Sequence, residues 1–376
     1  MEKIIYLDNA ATTKPFAEIE KIYTDCVKDF YNPSAVYSLG VSVRRRIDDA
    51  RSAICKCLHA EHGNIIFTAS ATEADNLALS LFKPRANNAL AVFIGEHPAV
   101  YQKAKAFESA GAKVIYLPAN SDGAVDEISK HIDSTTGFVS VMHVSNETGA
   151  INNLSLVVKA VKKINSRAIV HSDGVQAFGK ISVNLRELGV DMYTISAHKI
   201  YGPKGIGALW VKNGINVNPL IFGGGQEKAI RSGTENVAGI LSLAYCAQKV
   251  TSDLDKNFNK VSGYRKELIS QLEQNKVDFE VNGNGSPYIL NLTFNGIRGE
   301  VLLHSLEKYG IYISTGSACS SKKPDNRMLK AMGKTDKQIQ GTIRISFSPY
   351  EEYDIKNIAK IMAQEVKDLQ FKIKGK

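Results

Sequence analysis

From about residue 64 onward, short continuous apolar runs alternate with stretches of helical periodicity, a pattern that few architectures accommodate. The runs N-I-I-F-T-A (64–69), A-L-A-V-F-I (89–94), K-V-I-Y-L (113–117), F-V-S-V-M-H-V (138–144) and A-I-V-H-S (168–172) read as strands. M-Y-T-I-S (192–196) and I-G-A-L-W-V (206–211) are two further candidates, and helix-like stretches occupy 73–82, 98–110 and 155–165. Strands that are apolar throughout and separated by helices specify a mostly parallel α/β sheet covered on both faces. The Gly-rich connections late in the series allow one antiparallel member. A second region begins near 250, with a long charged helix at 252–274, strands at 288–294 and 342–348, and helices near 299–309 and 352–373. The helical periods of 11–60 precede the first strong strand, which assigns that segment in part to the smaller unit.

Length and composition narrow the function classes. A chain of 376 residues holds one large α/β domain and a smaller one. With 44% apolar and 23% charged residues it is not a disordered, collagenous or coiled-coil chain. The 47 basic residues exceed the 38 acidic ones by nine, but the excess is scattered and aromatics do not interleave with a basic patch. Direct nucleic-acid binding is therefore not expected. No apolar run reaches the ~20 residues that cross a bilayer, and M-E-K-I-I-Y-L is too short and too acidic for a signal-peptide core. Five cysteines, closely spaced only at Cys55 and Cys57, suggest no disulfide framework and a cytoplasmic setting. Cys26 and Cys246 fall in helical periods and read as packing residues. In C-K-C-L-H-A-E-H a helix would put Cys55, His59 and His62 on one face with Cys57 elsewhere, so no metal site is expected.

Chemistry-bearing residues collect where the strands should end. His97 follows A-V-F-I, Asn146 follows V-M-H-V, Asp173 and Gln176 follow A-I-V-H-S, and M-Y-T-I-S leads into Ser196, His198 and Lys199. In an open α/β sheet, ligands bind beyond the carboxyl ends of the strands. Thr72, three residues before Asp75 and ahead of an apolar helical stripe, reads as an N-cap, and the same turn can present free N–H groups to a phosphate. Both readings stay open, and so do the turns Gly223-Gly224-Gly225 and Gly202-x-x-Gly205-x-Gly207, which match no nucleotide-binding fingerprint. A lysine among small residues facing such a helix start is a Schiff-base candidate. An Asp facing a ring nitrogen would keep it protonated, and the set suits pyridoxal phosphate better than a nicotinamide or nucleotide. Cys319, in S-T-G-S-A-C-S-S-K-K-P, lies among small residues with Lys322 and Lys323 following, a setting that favours thiolate.

The motifs L-D-N-A-A-T-T (7–13), F-T-A-S-A-T-E-A-D-N (67–76), E-H-P-A-V (96–100), M-H-V-S-N-E-T-G (142–149) and H-S-D-G-V-Q (171–176) extend this picture. They continue with S-A-H-K-I-Y-G-P-K-G-I-G-A-L (196–209), G-G-G-Q-E-K-A-I-R-S-G-T (223–234), S-T-G-S-A-C (314–319) and I-R-I-S-F-S (343–348). In these stretches, which span nearly the whole chain, the sequence resembles the cysteine desulfurases, of aminotransferase class V among fold-type I pyridoxal-phosphate enzymes. The resemblance implies a large cofactor-binding domain over 14–250 and a small α+β domain from 1–13 plus 251–376, with a mobile cysteine loop near 314–326.

It also implies roles. Lys199 would bind the cofactor covalently, His97 would stack on its ring and move protons, Asp173 would pair with the ring nitrogen, and Gln176 would bond the phenolic oxygen. Ala71, Thr72, Ser196 and His198 would hold the phosphate, with Thr234 supplied by the other subunit of a homodimer. Asn146 and Arg344 would bind the substrate carboxylate. The implied reaction moves sulfur from L-cysteine to Cys319 as a persulfide and releases L-alanine. The implied acceptor is an iron–sulfur scaffold protein, a thiolation enzyme or a dedicated carrier. A basic segment after Cys319 and a tail ending soon after the last helix depart from members that dock the scaffold protein. Selenocysteine lyase, an ordinary aminotransferase and a silent cofactor-binding scaffold are the competing readings. One departure touches the cofactor cup itself: Ser70 stands where the family usually has Gly.

Overall fold

The computed structural model describes residues 4–315 and 326–374. Its strands in chain order are β1 (Ile5–Tyr6), β2 (Gly63–Thr68), β3 (Ala89–Phe93), β4 (Lys113–Leu117), β5 (Thr136–Ser140) and β6 (Ile169–Asp173). They continue as β7 (Met192–Ser196), β8 (Gly207–Lys212), β9 (Glu280–Asn282), β10 (Ile289–Thr293), β11 (Ile311–Tyr312) and β12 (Thr342–Ser346). Seven of them form one sheet in the order β2-β8-β7-β6-β5-β3-β4. Only β8 runs against its neighbours β7 and β2, and every other pairing in the sheet is parallel. The expected mixed sheet forms, with a single reversed member. Its faces are covered by two apolar clusters, one around Phe93, Val139 and Trp210, the other around Leu77, Leu90 and Leu209.

The run expected as a strand over 138–144 stops at Ser140. Beyond it the chain is drawn toward β6 and the loop after it: His143 N–H donates to Asp173 O at 2.8 Å, and Asn152 takes both Met142 O (2.6 Å) and, through its own N–H, His143 O (2.9 Å). Helix Ala71–Leu79 starts on Ser70, not on Thr72. The Ser70 hydroxyl accepts the Glu73 N–H at 3.2 Å, and Glu73 reaches back to the Ala69 N–H at 2.9 Å, leaving Thr72 in the first turn. Ser70 has φ −167°, extended backbone that any residue adopts, so the departure from Gly costs the turn nothing.

Segment 11–60 does not join the C-terminal region. Ile19, Ile47 and Ile54 are buried in the main core, where helix Ser38–Cys57 packs against helix Val237–Ser252. The very N-terminus behaves oppositely: Leu7 and Ala10 are buried with Leu268, Leu290, Ile343 and Ile358. There β12, β10 and β9 make an antiparallel sheet and β1 pairs in parallel with β11. Cys246 is in the main core as expected, whereas Cys26 is only half-buried, with its Sγ 3.9 Å from Arg46 Nη2.

The reversed strand has a consequence at the helix start. Because β8 runs backwards, its first residue, Gly207, lies opposite the last residues of β2 and β7, Thr68 and Ser196. A Cβ on Gly207 would sit 2.6 Å from Ser70 C and 2.7 Å from Ala71 N, so only glycine lets the helix start approach the sheet edge this closely. Gly207→Ala is expected to cost on the order of 1–3 kcal/mol by overpacking against backbone. Denaturant unfolding measures it, and an unchanged midpoint would contradict the close approach.

Candidate active site

Parallel strands deliver their carboxyl ends to one edge of the sheet, and the residues there converge. The segments after β3, β5, β6 and β7 bring His97, Asn146, Asp173, Gln176, Ser196, His198 and Lys199 to the wall of one cavity of about 230 Å³. Ala71 and Thr72 enter from the helix after β2, Arg344 from β12, and Ala10 and Ala11 from the N-terminal segment. A larger groove of about 1260 Å³ beside Phe16, Tyr201 and Tyr350 is lined by aromatic rings and solvent-facing charges, without a buried carboxyl and amine facing one another.

Lys199 closes the short 3-10 turn Ala197–Lys199 directly after β7. Its Nζ donates to Ala10 O and Ala11 O, both at 2.7 Å, which anchors the amine on the N-terminal segment. The N-terminal segment is in turn laced to the same turn: Thr13 N–H donates to His198 O at 2.9 Å, and Thr13 Oγ1 accepts the Tyr201 N–H at 2.7 Å. His198 Nδ1 lies 3.2 Å from Thr12 Oγ1. Burial, with the charges of Lys199 and Lys180, lowers the His198 pKa to about 4, so its imidazole is neutral.

Opposite the amine is a buried acid. Asp173, the last residue of β6, is 5% exposed and accepts the Val175 N–H at 2.9 Å. Burial pushes its carboxyl above the ordinary range, opposed by His97, that N–H bond and Lys199. Asp75 and His97 each bring a ligand atom to within 4.8 Å of it. Burial, together with the charge of Asp173, drives Asp75 well above the usual carboxyl range. Glu96 accepts from Ser140 Oγ at 3.1 Å, Ser140 Oγ lies 3.0 Å from His171 Nδ1, and His171 Nε2 lies 3.1 Å from Thr194 Oγ1. Burial lowers the His171 pKa to about 3, so a neutral ring links the two ends. The acids therefore stand on neutral hydrogen-bonded groups, and the positive partner that would ionise Asp173 fully must come from the cavity. A pyridinium N–H meets that need, and the N–H groups at the start of helix Ala71–Leu79 suit a phosphate. The donor set fits pyridoxal phosphate.

His97 caps helix Pro98–Ser109, its Nδ1 accepting the Ala99 N–H at 3.2 Å. That bond fixes the tautomer, leaving Nε2 to carry the proton. Arg344 is 2% exposed and donates to Asn146 O and to Asp8 Oδ1, both at 2.8 Å. Thr234 is not part of this cavity in one chain. It lies exposed in a neighbouring depression with Ala69, Gly205 and Glu235. The loop bearing it is pinned by a bidentate pair between Arg51 and Glu227 (2.8 and 2.9 Å) and by Arg231 on Glu73 at 2.8 Å. Glu227, Lys228 and Ala229 all have positive φ there, a strain those anchors must hold. Cys319 lies outside the described residues.

Sequence reasoning gave no site role to Asp8, Glu96, Lys180 or the carbonyls of Ala10 and Ala11, and read Asp75 only as the capping partner of Thr72. Asp75 and Glu96 did carry a usable signal, since each is an acid embedded in an otherwise small or apolar stretch. In C-K-C-L-H-A-E-H, Cys55 is buried, Cys57 meets the Thr251 hydroxyl at 3.5 Å, and His62 packs edge-on against Trp210.

The buried acid cluster predicts a pH dependence of the cofactor-free chain. Burial raises the Glu96 carboxyl from 4.5 in the open chain to about 8. As pH rises from 4.5 the unfolded chain releases this proton first, so stability falls through that window and levels off above 8. Glu96→Gln mimics the protonated acid and loses this dependence. Denaturant midpoints across the window should show the variant gaining on the parent as pH rises, and parallel curves would refute the assignment.

The aminotransferase class-V model matches residues 5–357. A cysteine desulfurase of Nostoc sp. (strain PCC 7120) is 37% identical over 378 residues, covering 98% of this chain and 94% of that one. The solved structure of a NifS-like protein superposes with a TM-score of 0.89 at 32% identity, covering 98% of this chain and all of that one. SspA in complex with cysteine superposes at 0.80 with 27% identity, over 93% of this chain and all of that one. With the buried acid, the amine and the helix start gathered at one sheet edge, these similarities settle the family: the chain belongs to aminotransferase class V, among its pyridoxal-phosphate-dependent cysteine desulfurases.

Proposed function

We propose that this chain removes sulfur from L-cysteine, leaving L-alanine and a persulfide on Cys319 that passes to an acceptor protein. The observation that carries the reading is the placement of the Lys199 amine and the buried Asp173 carboxyl around one cavity roofed by a free helix start. Pyridoxal phosphate supplies the electron sink when bound. Lys199 would hold it covalently through Nζ, and Asp173 would keep its ring nitrogen protonated. Gln176 would meet the phenolic oxygen and His97 would lie against the ring. Ala71, Thr72, Ser196 and His198 receive the phosphate, with Thr234 brought by a second copy of the chain. The dimer is supported by an exposed Thr234 that lines a neighbouring depression rather than its own cavity, on a loop anchored by Arg231 and Glu73.

Asn146 and Arg344 take the substrate carboxylate, whose charge the guanidinium matches. Lys199 would take the α-proton of the bound substrate. The Cys319 thiolate would attack the substrate sulfur, the S–S bond forming as the C–S bond breaks and the electron pair passing to the β-carbon. Protonation of the β-carbon and return of a proton to the α-carbon, with His97 and Lys199 as the proton-bearing groups, would complete alanine. We take residues 14–250 as the cofactor-binding body and 1–13 plus 251–376 as the smaller unit that bears the sulfur carrier. The acceptor is an iron–sulfur scaffold, a thiolation enzyme or a carrier protein. Among the described residues no helix is long and apolar enough to cross a membrane.

Mass spectrometry after addition of L-cysteine tests substrate, product and carrier together. One sulfur should appear on Cys319 with equimolar alanine, and Cys319→Ala should lose both while keeping the cofactor's absorbance. Equal desulfuration by Cys319→Ala and the parent would overturn the role of the thiol. Relative turnover on L-cysteine and L-selenocysteine separates the lyase reading.

A further inference from the structure

Lys180 is a buried cation to which the chemistry above gives no task. It sits in the turn that follows β6, 5% exposed, and its Nζ donates to Gln176 Oε1 at 2.6 Å. Gln176 Nε2 donates to Ala10 O at 2.9 Å, the same carbonyl that accepts from Lys199. These partners leave the amide no choice of orientation. A lysine nitrogen in this setting donates and a carbonyl oxygen only accepts, so Oε1 must face Lys180 and Nε2 must face Ala10. The amide nitrogen has two N–H groups, and the bond to Ala10 uses one. The other remains for an acceptor in the cavity that Gln176 lines.

We propose that Lys180 is a positioning residue: it locks the Gln176 amide so that its N–H, rather than its oxygen, meets the phenolic oxygen of the cofactor. This rests on the assignment of Gln176 and Lys199 to the cofactor made above, and it deepens that assignment. Without Lys180 the amide is free to turn over, which would set an acceptor against the phenolic oxygen and break the bond to Ala10. The location supports a local task, because an amine buried without a carboxylate partner is costly and is kept only where its hydrogen bonds matter. The charged groups acting on it are Lys199 and Arg344, which with burial lower its pKa to about 7. Loss of that proton does not end the role, since a neutral amine still donates.

The test uses the cofactor-loaded protein and a double-mutant cycle, read by pyridoxal-phosphate affinity of the stripped chain and by the pH midpoint of the visible absorption band. Lys180→Met, which fills the space without a donor, should weaken affinity on the order of tenfold, the worth of one oriented hydrogen bond. It should also move the band's midpoint upward, because the negative oxygen loses its donor. Lys180→Gln keeps a donor without a charge and should stay near the parent. In a Gln176→Leu background, Lys180→Met should add nothing further. Equal shifts in Lys180→Met and Lys180→Gln would trace the effect to charge and overturn the proposal, as would an undiminished effect of Lys180→Met in the Gln176→Leu chain. Circular dichroism checks folding. If Lys180→Met does not fold, Lys180→Leu replaces it, and failure of both makes Lys180 a folding residue and ends the proposal. Lys199→Ala tests the underlying reading separately: if borohydride still fixes the cofactor on that variant, the reading fails whatever the Lys180 variants do.

Discussion

The burial of Asp173 is the constraint around which this molecule is arranged. A carboxyl at the end of a central strand, 5% exposed and near two other buried acids, is unfavourable as an anion unless a positive partner is supplied. The protein supplies partial answers: the Val175 N–H, the neighbouring His97 and the more distant Lys199. It keeps the acids beneath, Asp75 and Glu96, on the protonated side of their balance, and connects Glu96 through Ser140 to the neutral ring of His171, which lies against Asp75 at 3.6 Å. A cationic ring nitrogen entering the cavity completes the set. In the proposed reading, affinity for a protonated heterocycle follows from where the fold puts its acids.

Two structural devices make that placement possible. The first is the sheet: strands running the same way open their carboxyl ends at one edge, and the single reversed strand brings Gly207 to that edge so that a helix start closes over it. The second is the N-terminal segment, which belongs to the C-terminal core by packing and to the cavity by hydrogen bonding. Leu7 and Ala10 are buried among C-terminal residues, Asn9 and Ala10 bond Ser346, and Ala10 and Ala11 present their carbonyls to Lys199. Backbone carbonyls thus fix the position of the amine at the cavity wall.

The strands, the mixed sheet and the ring of residues at its edge were legible because each rests on a local pattern: an apolar run, then a polar residue where the run stops. What escaped the sequence depended on direction. Ser70 and Thr72 are both small hydroxyl residues before an acid at the third position, and only the φ of −167° at Ser70 decides which one caps. Asp75 and Glu96 were passed over because acids are counted as solvent-facing, although both are 2% exposed or less. Periodicity alone assigned segment 11–60 in part to the smaller unit, because it tells that a helix has a partner and not which partner. Helix Ser38–Cys57 finds it in helix Val237–Ser252, far along the chain. Lys180 was invisible for another reason: its meaning comes from a single side-chain bond across a turn that has no helical or strand period.

The substrate side of the cavity follows the same logic with the sign reversed. Arg344 is a cation 2% exposed on β12, an outer strand of the C-terminal sheet, and it too needs partners. One is the Asn146 carbonyl, from the segment beyond β5, and the other is Asp8, from the N-terminal segment. Removing either partner of such a pair would leave a buried charge uncompensated, which is far costlier than the pair is stabilising. The guanidinium therefore joins three segments of the chain at the wall of the cavity. If Arg344 takes the substrate carboxylate as proposed, that carboxylate would meet an arginine already desolvated and oriented, with less ordering left to be done at binding. Asp173 and Arg344 are thus matched opposites, a buried anion awaiting a cation and a buried cation ready for an anion. A substrate that carries a carboxylate, joined to a cofactor that carries a pyridinium, satisfies both at once.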